Sequence, residues 1–162
     1  ELRKRVVNNE KIELIEDRVS EDELFKLYSS SDVLISPAHI YILMSWLESM
    51  SFGIPLIVLD TYAVKDYVKD NYNGLIVKKS DKISSYKEKT YPTNIRTSKF
   101  LQEVKKIDSK VIDNLSEKMI LLAKNPSLRK KLGNNGREFI KKYFSIEERN
   151  KKFKQIFDQS IK

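Results

Sequence analysis

Three short apolar runs, DVLIS (32–36), PLIVL (55–59) and LIV (75–77), are each bounded by a turn or breaker signal and separated by stretches with helical spacing. A run that does not alternate apolar with polar residues is buried on both faces. A strand meets that condition in a parallel sheet covered by helices on each side. Pro37 stops the first run, Gly53 ends the helical stretch before the second, and Asn73-Gly74 turns the chain into the third. An earlier segment, KIELIE (11–16), is bounded by polar clusters and is expected to add a strand. Ser20 and Glu23 form a capping box that opens a helix with Leu24, Phe25, Leu27 and Tyr28 on its apolar face. The order strand, helix, strand, helix, strand predicts an α/β fold whose parallel sheet is joined by right-handed crossovers.

The C-terminal part is helical. A helix is expected over 109–124, with Val111, Leu115, Met119 and Leu122 as its stripe. A second starts at Asn125-Pro126, an N-cap followed by proline at the first helical position, and a third starts at Ser145, paired with Glu148. Residues 78–100 have no sustained period and a net charge of +5, and read as a polar, basic insertion or long surface loop.

Charge divides the chain. Residues 1–77 hold 8 basic and 13 acidic side chains, and residues 78–162 hold 23 and 10, so the formal net charge of +8 resides in the second half. Of the 31 basic residues 24 are Lys, which favours a solvated or membrane-facing surface over bidentate base reading, and no nucleic-acid partner is expected. The lysines have two readings, a solvated face or contact with anionic lipid headgroups. The chain has no Cys and one His, which removes disulfides, thiol nucleophiles and the usual zinc sites. No apolar run approaches the length of a membrane span, and a cytoplasmic location, peripheral to a membrane if the lysines bind lipid, is expected.

Ligands of open α/β sheets bind beyond the carboxyl ends of the strands. The segment after Ser36 is the richest in features, because it runs through a loop into a helix whose first amides, at Leu43 and Met44, are placed to hold an anion. Glu48 follows within that helix among apolar neighbours.

LESMSFGIPLI followed by NGLIV resembles the signature of the GT-B glycosyltransferases, particularly the retaining family-4 group. VSEDELFKLYSSSDVLISP upstream and LLAKNPSLRKKLGNNGREFIKKYFSIEE downstream extend the likeness. The resemblance implies a Rossmann-like donor-binding domain, 1–162, of a glycosyltransferase that uses a nucleotide diphosphate sugar, with no metal and no further cofactor required. Glu48 matches the second acid of the family's E-x7-E motif and would accept hydrogen bonds from ribose hydroxyls, a use suited to a carboxylate. The amides of Leu43 and Met44 would face the diphosphate, and Asp17, Arg18 and Val19 would border the base.

The sugar end departs from the pattern. The first acid falls at Ile40, the following Gly-Phe-Gly is Tyr41-Ile42-Leu43, paired glycines fall at Tyr62 and Ala63, and a later acid falls at Asp66. His39, beside the missing acid, is a candidate for contact with sugar or phosphate, Ile40, Tyr62 and Asp66 would line the same sugar-end pocket, and no catalytic residue is assigned beyond His39. The family also carries an earlier strand-helix unit and an N-terminal acceptor domain, so this chain is expected to be part of a longer enzyme and weakly active or inactive alone. Two alternatives stay open: a non-catalytic nucleotide-sugar or partner-binding module, and a basic nucleic-acid-binding scaffold.

Overall fold

A computed structural model describes residues 9–39, 42–84 and 98–160. The chain divides into two compact units, Glu1–Ser30 and Ser31–Lys162.

In the first unit the described residues form a turn at 9–11, an extended stretch, and helix α1 (Glu21–Ser30). The capping box is formed as expected. Ser20 Oγ accepts from the Glu23 amide at 3.3 Å while the Glu23 carboxylate accepts from the Ser20 amide at 2.9 Å. That amide bond, with a second from the Ser20 hydroxyl, holds the Glu23 carboxyl below the usual range. The strand expected at 11–16 is not present. Among the described residues this stretch joins no ladder, and Ile12, Leu14 and Ile15 remain about half exposed. Three charges in six residues leave too little apolar surface to secure an inner sheet position, and an extended segment without a ladder is not a strand.

The second unit holds the sheet. Strands β1 (Leu34–Ser36), β2 (Leu56–Leu59) and β3 (Gly74–Val77) lie in that order and are all parallel, with Leu34 opposite Leu56 and Leu56 opposite Gly74. The connections are α2 (Leu43–Ser51) and α3 (Val64–Tyr67), and the chain finishes with α4 (Ser98–Val104), α5 (Ser109–Lys124), α6 (Pro126–Phe144) and α7 (Ile146–Ser160). The α/β parallel sheet flanked by helices, with its helical C-terminal segment, is as the sequence predicts.

β2 is buried along its length and serves both faces of the sheet. Leu56 and Val58 join Trp46, Met50, Val64 and Val68 on one side, while Ile57 and Leu59 join Leu75, Val77, Leu122 and Leu132 on the other. Each apolar side chain removed from water in this way contributes about 1.5–3 kcal/mol.

Helix α6 contacts both clusters because it passes very close to the end of α2. α2 stops in a Schellman turn: Gly53 has φ +76°, its amide donates to Met50 O at 2.9 Å, and the Ile54 amide donates to Ser49 O at 3.0 Å. Gly133 of α6 lies so near that a Cβ there would stand 1.8 Å from Gly53 O. Arg137, one turn on, donates to Phe52 O at 2.7 Å and Ser51 O at 3.2 Å, satisfying carbonyls left open at the helix end.

Of the loop expected at 78–100, residues 85–97 lie outside the described residues, and the described residues on either side of them are packed. Ile83 and Phe100 form a small core of their own, with Tyr62 and Val104 packed against it, and α4 begins at Ser98. Two hydroxyl–carboxylate bonds join the two sides, Ser80 to Asp108 and Ser84 to Glu103, both at 2.5 Å.

Candidate functional site

The carboxyl ends of the three strands are Ser36, Leu59 and Val77, and the segments beyond them form the rim where a ligand of an open sheet binds. After β1 the rim carries Pro37 to His39, and Ile40 and Tyr41 lie outside the described residues. The Trp46 indole N–H donates to Ser36 Oγ at 3.0 Å and fixes α2 against the end of β1.

The start of α2 has no side-chain cap. Its N-cap residue is Ile42, which cannot accept a hydrogen bond, and its first turn holds no acid. The first amides, of Leu43, Met44 and Ser45, therefore have no capping acceptor from Ile42, and Met44 is 65% exposed. An anion placed there would meet donor amides and the positive end of the helix. Glu48 is half-buried on the same face, one turn beyond Met44 and Ser45. Donor amides and a carboxylate thus lie about one turn apart on one helix, an arrangement that would suit a ligand carrying phosphate and hydroxyl groups together.

His39 lines a cavity of about 230 Å³ with Leu59, Ser80, Ile83 and Asp108, closed by Val104 to Ile107 and the first turns of α5. Burial lowers the imidazole pKa below its ordinary 6.5, so at neutral pH the ring is uncharged and can donate from one nitrogen and accept at the other. Asp108 is held below the usual carboxylate range, first by the hydrogen bond from Ser80, then by the charge of Lys82 at 3.9 Å and the amide of Lys110. It stays ionised, and it caps α5. This cavity is smaller than the roughly 300–1,000 Å³ of most ligand pockets and has room for only part of a nucleotide sugar.

Tyr62, where the family pattern has a glycine, keeps a glycine-like backbone with φ +38°. A residue with a Cβ is disfavoured there by roughly 1–2 kcal/mol. Its packing on the Ile83 and Phe100 core offsets that cost.

The residues expected at the sugar end do not share one cavity. His39 lines the cavity just described, Tyr62 belongs to the small core beside it, Ile40 lies outside the described residues, and exposed Asp66 lines a separate groove with Lys69 and Tyr72. Leu43, Met44 and Glu48 are brought together by α2. In the first unit, Asp17 and Arg18 are exposed and Val19 is half-buried, between the extended stretch and α1. Sequence reasoning missed Ser80, Ile83, Val104 and Asp108. The spacing of Phe100, Leu101 and Val104 is the signal that would have placed a helix there.

The family profile described as "Glycosyl transferases group 1" matches residues 5–90, more than half of the chain and the whole of the α2 site. The chain belongs to the glycosyl transferases group 1 family. No protein of curated function matches the sequence of this glycosyltransferase domain significantly. Among solved structures, a sucrose-phosphate synthase from Thermosynechococcus elongatus matches with a TM-score of 0.69 at 17% identity, over 99% of this chain and 33% of that one. The glycosyltransferase domain thus has a GT-B fold and spans about a third of the length of that enzyme. Among its described residues no three His, Asp or Glu side chains gather into a group that could hold a metal ion, and no helix is long and apolar enough to cross a membrane.

Proposed function

We propose that this chain is the donor-binding half of a retaining, family-4-like glycosyltransferase that moves a sugar from a nucleotide diphosphate sugar to an acceptor hydroxyl. The observation that carries the reading is α2, where an uncapped N-terminus and half-buried Glu48 present donors and an acceptor on one face. In this reading the amides of Leu43 and Met44 hold the diphosphate. As the bond to the sugar breaks, negative charge grows on that leaving group, and donors already aimed at it lower the barrier without reorganising. Glu48 accepts from the ribose hydroxyls, and a charge-assisted bidentate contact orients the nucleotide before chemistry. The role at the base that the resemblance gives Asp17, Arg18 and Val19 rests on the sequence likeness alone. Neutral His39 meets the sugar or the inner phosphate, and the helix amides take the role a metal ion has elsewhere. The acceptor is held by a further domain of the longer enzyme.

Tyr62 favours a second reading. Where the resemblance expects a glycine, a tyrosine stands on a left-handed backbone with its ring packed on Ile83 and Phe100, a departure expected of a domain that binds a nucleotide sugar without turning it over.

Calorimetry with UDP, GDP and ADP and their glucose conjugates, on this chain and on Glu48→Gln, tests both. Saturable binding of one nucleotide, weakened about tenfold or more in the variant, is expected from the loss of a charged acceptor worth about 1.5–3 kcal/mol. Binding that Glu48→Gln leaves unchanged would refute the placement of ribose at Glu48. Binding in the full-length protein with no sugar transfer to any acceptor would favour the second reading.

A further inference from the structure

The departures of this chain from the family pattern gather around the His39 cavity. His39 precedes Ile40, which stands where the resemblance expects an acid that contacts the transferred sugar. Residues 78–100 fall outside the likeness, and two of them, Ser80 and Ile83, belong to the cavity wall. Tyr62, in place of a glycine, braces that wall by packing on Ile83 and Phe100.

The wall is mainly apolar, with Leu59, Val104, Val111, Ile112 and Leu115 beside Ile83. Two of its polar side chains are bonded within the protein. Asp108 accepts from the Ser80 hydroxyl and the Lys110 amide, and Ser80 accepts from the Lys82 amide at 3.1 Å. Lys105 and Lys106 also line the cavity, but both are exposed and can keep their ammonium groups in water. Among the described wall residues, the uncharged His39 ring is the polar group suited to a neutral ligand.

Such a wall selects its occupant. A sugar hydroxyl set against it gives up water without gaining a partner, whereas a methyl group gains by leaving water. A dry cavity of about 150 Å³ holds a benzene ring. One of about 230 Å³ therefore has room for an acetamido group and the edge of the sugar ring that carries it. His39 and Leu43 are four residues apart, a reach of at most about 14 Å, so a diphosphate at the start of α2 and a sugar substituent in the cavity can belong to one ligand.

We propose, on the donor reading given above, that the transferred sugar is an acetamido sugar, with its methyl seated among Ile83, Val104, Ile112 and Leu115 and its amide hydrogen-bonded to His39. An amide offers one N–H donor and a carbonyl acceptor, and neutral imidazole can answer either. A hydroxyl in the same place meets the histidine but leaves the apolar walls unfilled.

The test is calorimetry on the full-length protein with the glucose and N-acetylglucosamine conjugates of UDP, GDP and ADP. The readout is the ratio of the two affinities for the nucleotide that binds. The N-acetylglucosamine conjugate is expected to bind about tenfold tighter or more. Ile112→Asp brings a charge to the cavity at a position already 51% exposed, and is expected to reduce the preference to about threefold or less. His39→Ala should lower it several-fold. A merely loosened fold weakens both conjugates alike, so a ratio that neither variant moves would overturn the assignment. Equal affinities, or a preference for glucose, with binding still dependent on Glu48, overturn the acetamido subsite and leave the donor reading in place. Absence of binding by any of the nucleotides and their conjugates overturns both.

Discussion

Replacing Gly133 by Ala tests how α2 is held, and the structure gives the size of the effect. The added Cβ would stand 1.8 Å from Gly53 O and 2.8 Å from Gly53 C, both backbone atoms in a turn whose φ of +76° leaves it little freedom. Ordinary contact begins near 3.4 Å, so α6 must withdraw by about 1.6 Å. That movement breaks the Arg137 bonds to Ser51 and Phe52, at 3.2 and 2.7 Å, and loosens Leu132 in its cluster. Ala gains about 1 kcal/mol in helix propensity over Gly. Against this stand about 1–3 kcal/mol for overpacking and, because Arg137 is exposed, only about 1 kcal/mol for its bonds. The expected outcome is a net loss of about 2 kcal/mol, read as a melting temperature lower by about 4–8 °C in a domain of this size. Gly136→Ala is the control. Its Cβ would meet Met50 Cγ at 3.1 Å, the flexible side chain can yield, and stability should stay within about 1 kcal/mol of the parent or rise. Unfolding in urea followed by circular dichroism compares the two. A Gly133→Ala protein as stable as Gly136→Ala would refute the claim that backbone contact sets the position of α2.

The other predictions concern the polar groups that hold the rim and its supports. Asn73→Ala should cost about 2–3 kcal/mol, measured by urea unfolding, because the buried amide accepts from the Lys69 amide at 2.7 Å and donates to Tyr67 O at 3.0 Å, and both bonds are lost. The lowered pKa of His39 fixes a direction with pH: below 6.5 the unfolded chain takes up a proton that the folded chain resists, so stability falls as pH drops from 6.5 towards the folded pKa and is level above 6.5. His39→Gln should remove that part of the slope in melting temperatures measured from pH 5 to 8, and an unchanged slope would show that His39 is not the group responsible.

What could be read from the sequence follows the range of the forces involved. Helices α5 and α6 begin where local chemistry sets them, at caps formed by Asp108 and Asn125 with Pro126 behind the second. The strands of the second unit were legible because LIVL and LIV are buried by any arrangement that covers both faces of the sheet. Residues 11–16 were misread because a ladder partner is set by residues distant in sequence, and a half-charged hexamer does not reveal whether it has one. The sequence LGNNG in α6 is a poor helix by propensity, yet the close approach at Gly133 requires it there. Within the site, the uncapped start of α2 and Glu48 could be read directly. The cavity at His39 could not, since most of its wall comes from residues 80–83 and 104–115, brought to the rim by packing around Ile83 and Phe100. The left-handed turn at Tyr62 has no signal in a tyrosine, and only the likeness to glycines at that position hinted at it.

The paired bonds from Ser80 to Asp108 and from Ser84 to Glu103 act as a clasp on the segment between them. Two stretches far apart in sequence, 80–84 and 103–108, are thereby fastened to each other on the wall of the His39 cavity, so that this wall is held by side-chain bonds while the sheet is held by its backbone ladder.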